Sequence, residues 1–266
     1  MNINNYSYNH NYNYNLHYRP TFTSNARKYT KDGKDIGTMT FLFRDDLKWS
    51  KFADELVDNF RNKDKVNVVQ FASSDGAEAY SLIITLMEKY PELADKFTPI
   101  EAYDWDPVIV DAAKSGLLNI AGEDLRDIDY HVKNKNDYFK HTNRKLLIDN
   151  DAMQMQTGNY ISDYSYTTYE VDKKLTDRVN FHQADMYDIL ETLEDNSNTV
   201  LMCRNILGYF APKQITNFVD KAAQKLKPGS LFVIGEFDWE NYGNLREYIQ
   251  QAGFTEVMPC VYRKNP

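Results

Sequence analysis

Two acids flank a single glycine in Ser73-Ser-Asp-Gly-Ala-Glu78, a turn that follows an apolar run and opens an amphipathic one. Loops that cradle a phosphate use several glycines and often a lysine, so that bare N–H groups can approach an anion. This turn has only Gly76 to let the backbone turn tightly, and it carries Asp75 and Glu78, which suits a positively charged ligand. S-adenosylmethionine fits that description: its sulfonium and ammonium are cationic, and its one carboxylate can use the start of a helix. A second acidic group, Asp104-Trp-Asp106, stands after another apolar run, where an acid can accept hydrogen bonds from ribose hydroxyls. A third polar pair, Arg204-Asn205, closes the run from Thr199 to Cys203 and leads through a turn to Tyr209.

The elements that must position these residues follow from periodicity. Val66 to Ala72 is short and apolar, as a buried parallel strand is. Ala79, Leu82, Ile83, Leu86 and Met87 then recur at helical intervals until Pro91 stops the pattern. Phe97 to Tyr103 reads as the next strand, and Pro107 to Ser115 as a helix with proline at its start and Gly116 past its end. The strand from Thr199, the helix Pro212 to Leu226 and the strand Leu231 to Gly235 repeat the alternation. The expected fold is α/β, a doubly wound and mostly parallel sheet that binds its ligand at the carboxyl ends of the strands.

Two stretches break the alternation. Lys145 to Ile148, Ala152 to Gln156 and the Tyr- and Thr-rich run Tyr160 to Val171 predict a small antiparallel β insertion at about 120–176. Thr40 to Phe60, within a leader spanning 38–65, is expected to be helical and to present Phe43, Leu47, Phe52, Leu56 and Phe60 to the core of 66–266. Residues 1–37, dominated by Asn and Tyr at their start, are expected to form a disordered tail.

Composition narrows the function classes. A chain of 266 residues, 42% hydrophobic, can bury one core plus an appendage. A net charge of −8 argues against a nucleic-acid partner. No apolar run reaches membrane-spanning length, and the first residues lack a charged segment followed by an apolar one, so the expectation is a cytoplasmic protein without membrane insertion. Cys203 and Cys260 form no disulfide framework and have no metal-ligand spacing with the five histidines, so no metal is expected. No Gly-x-Ser-x-Gly elbow points to a hydrolase.

From Thr40 to Phe237 the motifs resemble, in order, those of the CheR-type chemotaxis-receptor glutamate O-methyltransferases, a branch of the S-adenosylmethionine-dependent methyltransferases. Thr40-Phe-Leu-Phe-Arg-Asp45 with Trp49 is similar to the family's leader, and Ser74-Asp-Gly-Ala-Glu-Ala-Tyr-Ser81 to its cofactor loop. Tyr103-Asp-Trp-Asp106 with Ala113-Lys-Ser-Gly116 resembles its ribose block. Tyr138-Phe139, Val179-x-Phe181 and Asp185-Met186 resemble a segment near the adenine, and Cys203-Arg-Asn-Ile-Leu-Gly-Tyr-Phe210 the family's Cys-Arg-Asn block. The resemblance implies a Rossmann-like methyltransferase fold and cofactor contacts from Ser74, Glu78, Asp104, Asp185, Met186, Asn205 and Ile206, to which the reading of the turn adds Gly76. It places Arg44 and Tyr209 beside the transferred methyl.

The implied reaction is attack of a glutamate carboxylate on the methyl group. Free glutamate has a pKa of about 4.3, so the nucleophile is already ionised at neutral pH and needs no general base. Alignment of this kind removes roughly 7–11 kcal/mol from a barrier. Arg44 would hold the carboxylate and the Tyr209 hydroxyl orient it. The acceptor would be a protein or peptide, docked by strand addition on the β insertion. Plainer roles remain open: Arg44 paired with Asp45 or Asp46, Asp104 as a helix cap, Glu78 as a first-turn acid, Tyr209 as a core tyrosine. The chain also departs from the family. Its helical N-terminal domain is expected to be missing, Ala77 and Ala79 replace Glu and Pro, Gly208 replaces an apolar residue, and Ile234-Gly-Glu236 lacks a histidine. A module that holds S-adenosylmethionine or its product as a regulatory ligand, and a small-molecule methyltransferase, are the alternatives.

Overall fold

A computed structural model describes residues 40–144, 146, 166–193 and 198–266. The tail, and the predicted strands Lys145 to Ile148 (apart from Leu146) and Ala152 to Gln156, lie outside the described residues.

Continuous apolar runs become the central strands. β1 (Asn67–Phe71), β2 (Ile100–Asp104), β6 (Val179–Gln183), β7 (Thr199–Met202) and β8 (Leu231–Val233) pair in parallel in the order β6-β2-β1-β7-β8. β9 (Phe254–Met258) and β10 (Val261–Lys264) add an antiparallel hairpin, with β10 next to β8, to complete seven strands. Neighbouring strand residues face opposite cores. Val68, Val200 and Met202 pack with the leader and α2 (Ala77–Lys89), whereas Val69, Phe71 and Leu201 pack with the helix Pro212–Lys225. The sheet is thus covered on both faces, and α2 is buried from Ala77 through Leu86.

The order of the strands creates a crevice. The chain builds outward from β1 through β2 to β6, then crosses back to place β7 on the other side of β1. Loops leaving β1 and β7 diverge at that point, and their carboxyl ends form the ligand edge of such a sheet.

Three differences from the sequence reading have local causes. The leader is helical only in α1 (Trp49–Asn59), because Phe43 has a φ of 53°, which no right-handed helix contains. β2 starts at Ile100 rather than Phe97, which belongs to a 3-10 turn (Ala94–Phe97); Pro99 has no N–H to give a ladder. The three-stranded antiparallel sheet is made of β3 (Leu117–Ala121), β4 (Phe139–His141) and β5 (Tyr166–Val171), in the order β3-β5-β4. Only β5 lies in a segment read as strand, and the first strand follows directly on α3 (Pro107–Lys114) and Gly116, at φ 67°.

Candidate active site

The turn after β1 is held in an uncommon backbone. Ala72 and Ser74 have φ of 51° and 49°, and Gly76 has 91°. A non-glycine residue there costs of order 1 kcal/mol or more, so surrounding bonds must impose it. They do: Ser73 N–H donates to the Tyr103 carbonyl at 3.0 Å, Ser74 N–H to Asp104 Oδ2 at 2.9 Å, and Ala77 N–H to Asp75 Oδ1 at 3.1 Å. Gly76 shapes this turn. Its N–H and carbonyl are used by Ser73 and Tyr80, and a Cβ on it would lie 2.5 Å from Phe181 Cζ.

Three carboxyls meet at this corner. Asp104 accepts the Ser74 amide on one oxygen and the Asp106 amide, at 3.0 Å, on the other. Burial raises its pKa against the pull of those amides. Burial likewise pushes Asp75 up to about 7, and the nearby Asp104 and Glu78 add to the shift. Glu78 pairs with Arg204, whose Nη1 lies 3.0 Å from Glu78 Oε1 in contact without hydrogen-bond geometry. Three acids gathered at one turn fit a positively charged ligand, whose charge would favour their ionised forms.

Arg204, just past the end of β7, stands out in the sequence as half of a polar pair at a strand end but has no role of its own there. Its second arm bonds Asp46 in the leader, and its guanidinium lies 5.2 Å from the Trp49 ring centroid. Asn205 follows at φ 59°; its amide donates to Asp238 Oδ2 at 2.8 Å, its Oδ1 accepts the Phe237 amide at 3.3 Å, and its Nδ2 donates to Asp46 Oδ2 at 3.2 Å. Asp238 is fully buried and also accepts the Gly235 and Gly208 amides at 2.8 and 3.2 Å. Burial pushes its carboxyl up to about 6 against those bonds. In the sequence Asp46 is only an alternative partner for Arg44, and Asp238 carries no signal beyond being acidic.

The remaining expected residues fall on the same rim. Asp185 caps the helix Met186–Thr192 by accepting the Tyr187 amide at 2.8 Å, and the loop before it is tied to the site by Ala184 N–H donating to the Asp104 carbonyl at 3.0 Å. Met186 and Ile206 are buried. Tyr209 ends a 3-10 turn (Leu207–Tyr209) with its ring 4.8 Å from that of Phe237. Arg44 is half-buried, its guanidinium 5.4 Å from the Phe41 ring centroid and its carbonyl accepting Trp49 Nε1–H at 3.0 Å. The structure therefore strings the expected residues along the carboxyl ends of β6, β2, β1 and β7, while Arg44 stands in the leader two positions before Asp46, which Arg204 fastens to this rim. Gly208 has its own reason: a Cβ there would meet Phe237 Cε1 at 2.6 Å, so the Phe237 ring fills the space of the missing side chain. A cleft of about 300 Å³ lined by Tyr80, Lys114, Val179 and Phe181 lies along the outer strand, behind the turn rather than at the rim.

Known proteins match this chain along most of its length. The family described as "CheR methyltransferase, SAM binding domain" matches residues 38–157 and 148–256. Chemotaxis protein methyltransferase 2 of Vibrio cholerae is 23% identical over 74% of this chain and 60% of its own length. A probable chemotaxis protein methyltransferase of Rhizobium etli is 22% identical over 81% of this chain and 72% of its own. The chain thus spans about 60% of the Vibrio relative. Among solved structures, an O-methyltransferase family 2 protein from Planctomyces limnophilus aligns at 13% identity and a TM-score of 0.42, covering 80% of this chain and 55% of that one, a likeness too loose to argue from. With a family match running from the leader through the strand after the Arg204 loop, the chain belongs to the CheR methyltransferase family, in its SAM-binding domain, and S-adenosylmethionine is its cofactor.

Proposed function

We propose that the protein is a methyltransferase that esterifies a glutamate side chain of a protein. The observation that carries the reading is the corner of acids at the carboxyl ends of β1 and β2, Asp75 and Glu78 buried and Asp104 half-buried, with the Arg44 leader fastened beside it through Asp46 and Arg204. S-adenosylmethionine supplies an activated methyl on a positive sulfur. Glu78 takes the ammonium of its amino-acid end, Asp104 accepts the ribose hydroxyls, and Asp185 and Met186 border the adenine. Asn205 and Ile206 form the wall from β7. Arg44 orients the incoming carboxylate, which is already ionised, and the Tyr209 hydroxyl fixes its second oxygen. The acceptor protein docks at an edge of the three-stranded sheet, where an extended peptide can add a strand.

The test has two stages. Calorimetric titration with S-adenosylhomocysteine should show binding by the wild type and its loss in Asp104→Ala. Radiolabelled methyl transfer to proteins of the native lysate should then be base-labile, as esters are, and fall at least about 100-fold in Arg44→Ala. Base-stable label, or label confined to metabolites, contradicts the glutamate assignment.

A further inference from the structure

Asp46 fastens the leader to two separate loops of the rim. Its Oδ1 receives Arg204 Nη2, and its Oδ2 receives Asn205 Nδ2 at 3.2 Å and the Glu236 amide at 3.1 Å. Both side chains of the ion pair are nearly shut off from solvent, at 8% exposure for Asp46 and 1% for Arg204. Arg204 reaches on to Glu78 and lies over Trp49, whose indole N–H holds the Arg44 carbonyl. The chain of contacts returns to where it began, since one residue separates Arg44 from Asp46.

The guanidinium is a rigid planar fork, so its two arms fix the spacing between α2 and the leader. In a low-dielectric network a change of charge on one member shifts the others. We propose that Asp46 is a positioning residue that, through Arg204, couples cofactor binding at Glu78 to the placement of Arg44. The proposal rests on the reading that Glu78 takes the cofactor's ammonium. A cation at Glu78 shares the carboxylate that Arg204 now holds, Arg204 bonds Asp46 more strongly, and the leader tightens over the rim.

Hydrogen exchange tests this without an acceptor. The probes are the amides of Phe43, which donates to Ser81 Oγ at 2.8 Å, and Leu47, which donates to the Arg44 carbonyl at 3.4 Å. In the wild type, saturating S-adenosylhomocysteine should slow their exchange by roughly tenfold, an ordinary coupling between sites. Asp46→Asn should bind the same ligand within about fivefold by calorimetry and show no slowing, and Asp46→Glu, which restores the charge, should recover part of it. Equal slowing in Asp46→Asn and the wild type overturns the coupling, as does a wild type that binds ligand with an unchanged leader. A wild type that binds no ligand overturns the cofactor reading and the coupling together. Should Asp46→Asn fail to fold, Arg204→Lys, which keeps the charge and loses the fork, gives the same comparison with the same expected loss.

Discussion

The Ser74 amide donates to Asp104 Oδ2 at 2.9 Å, across a separation of 30 residues, and this bond joins the turn after β1 to the end of β2. The same carboxylate holds the Asp106 amide, which precedes the helix that Asp106 itself caps. Asp106, and not Asp104, is therefore the cap of that helix; Asp104 ties the turn to the strand end and, on the proposed reading, has a second duty as a ligand acceptor.

Replacing Asp104 with Ala removes both. Hydrogen bonds to a charged group contribute about 1.5–3 kcal/mol each, so two lost ribose contacts lower affinity for S-adenosylhomocysteine by roughly 100-fold or more. Asp104→Asn keeps one acceptor and should fall between. Calorimetry on the three proteins checks the order, and an Ala variant that binds as the wild type does would remove Asp104 from the site.

The raised pKa of Asp75 sets a pH dependence of stability. Its folded value, about 7, lies above the ordinary 3.8, so the folded state holds a proton that the unfolded state has released. Stability from this group is fully present below about pH 4 and is lost as pH rises toward 7, by a few kcal/mol at most on the order of 1.4 per unit. Asp238, at about 6, slopes the same way but finishes earlier, which leaves pH 6 to 7.5 mainly to Asp75. Urea midpoints across that window should fall with pH in the wild type and fall less steeply in Asp75→Asn, where Asp104, also raised by burial, still contributes. A cationic ligand favours the ionised form, so affinity for S-adenosylmethionine should rise over the same window.

Gly208 and Phe237 form a matched pair. Gly208 carries no unusual φ, so space alone excludes a side chain, and the Phe237 ring takes that space while resting against Tyr209. Gly208→Ala should destabilise the protein by about 1–3 kcal/mol, as overpacking does. In a Phe237→Ala background the same change should be milder by about 1 kcal/mol or more, a coupling readable in a double-mutant cycle of denaturation midpoints. Additive effects would show that the ring does not set the requirement for glycine.

The sequence was most legible where burial is two-sided. β1, β7 and β8 lie between two packed layers, so their residues are apolar in succession and announce themselves. Asp104 and the Ser73 to Glu78 turn were legible for a related reason, because each follows such a run directly. The leader was not: its hydrophobic spacing suits a helix throughout, yet the φ of Phe43 and the Ser81 hydroxyl that holds its amide decide the backbone from outside the segment. β4 has three residues, and β3, though as long as β1, follows directly on α3, so its apolar run was not set apart from the helix; among the described residues both pair only with β5. The Asp46 to Arg204 pair spans 158 positions, and nothing local marks either residue as the other's partner.

Asp238 offers the sharpest separation of structural from chemical roles. Its carboxylate accepts the amides of Asn205, Gly208 and Gly235, and so it binds the loop after β7 to the end of β8. Asp238→Ala strands three amides beneath the rim, and each unsatisfied group costs about 1–3 kcal/mol, so a loss of roughly 3 kcal/mol or more is expected even after relaxation. Asp238→Asn keeps the shape and part of the acceptance, and should lose about half as much. If the loop it holds is the wall of the cofactor site, the Asn variant should bind S-adenosylhomocysteine more weakly in proportion to its lost stability, with the Asp104 contacts intact. A thermal melt paired with calorimetry decides the matter: full affinity at reduced melting temperature would show that the β7 loop is structural support and no part of the ligand wall.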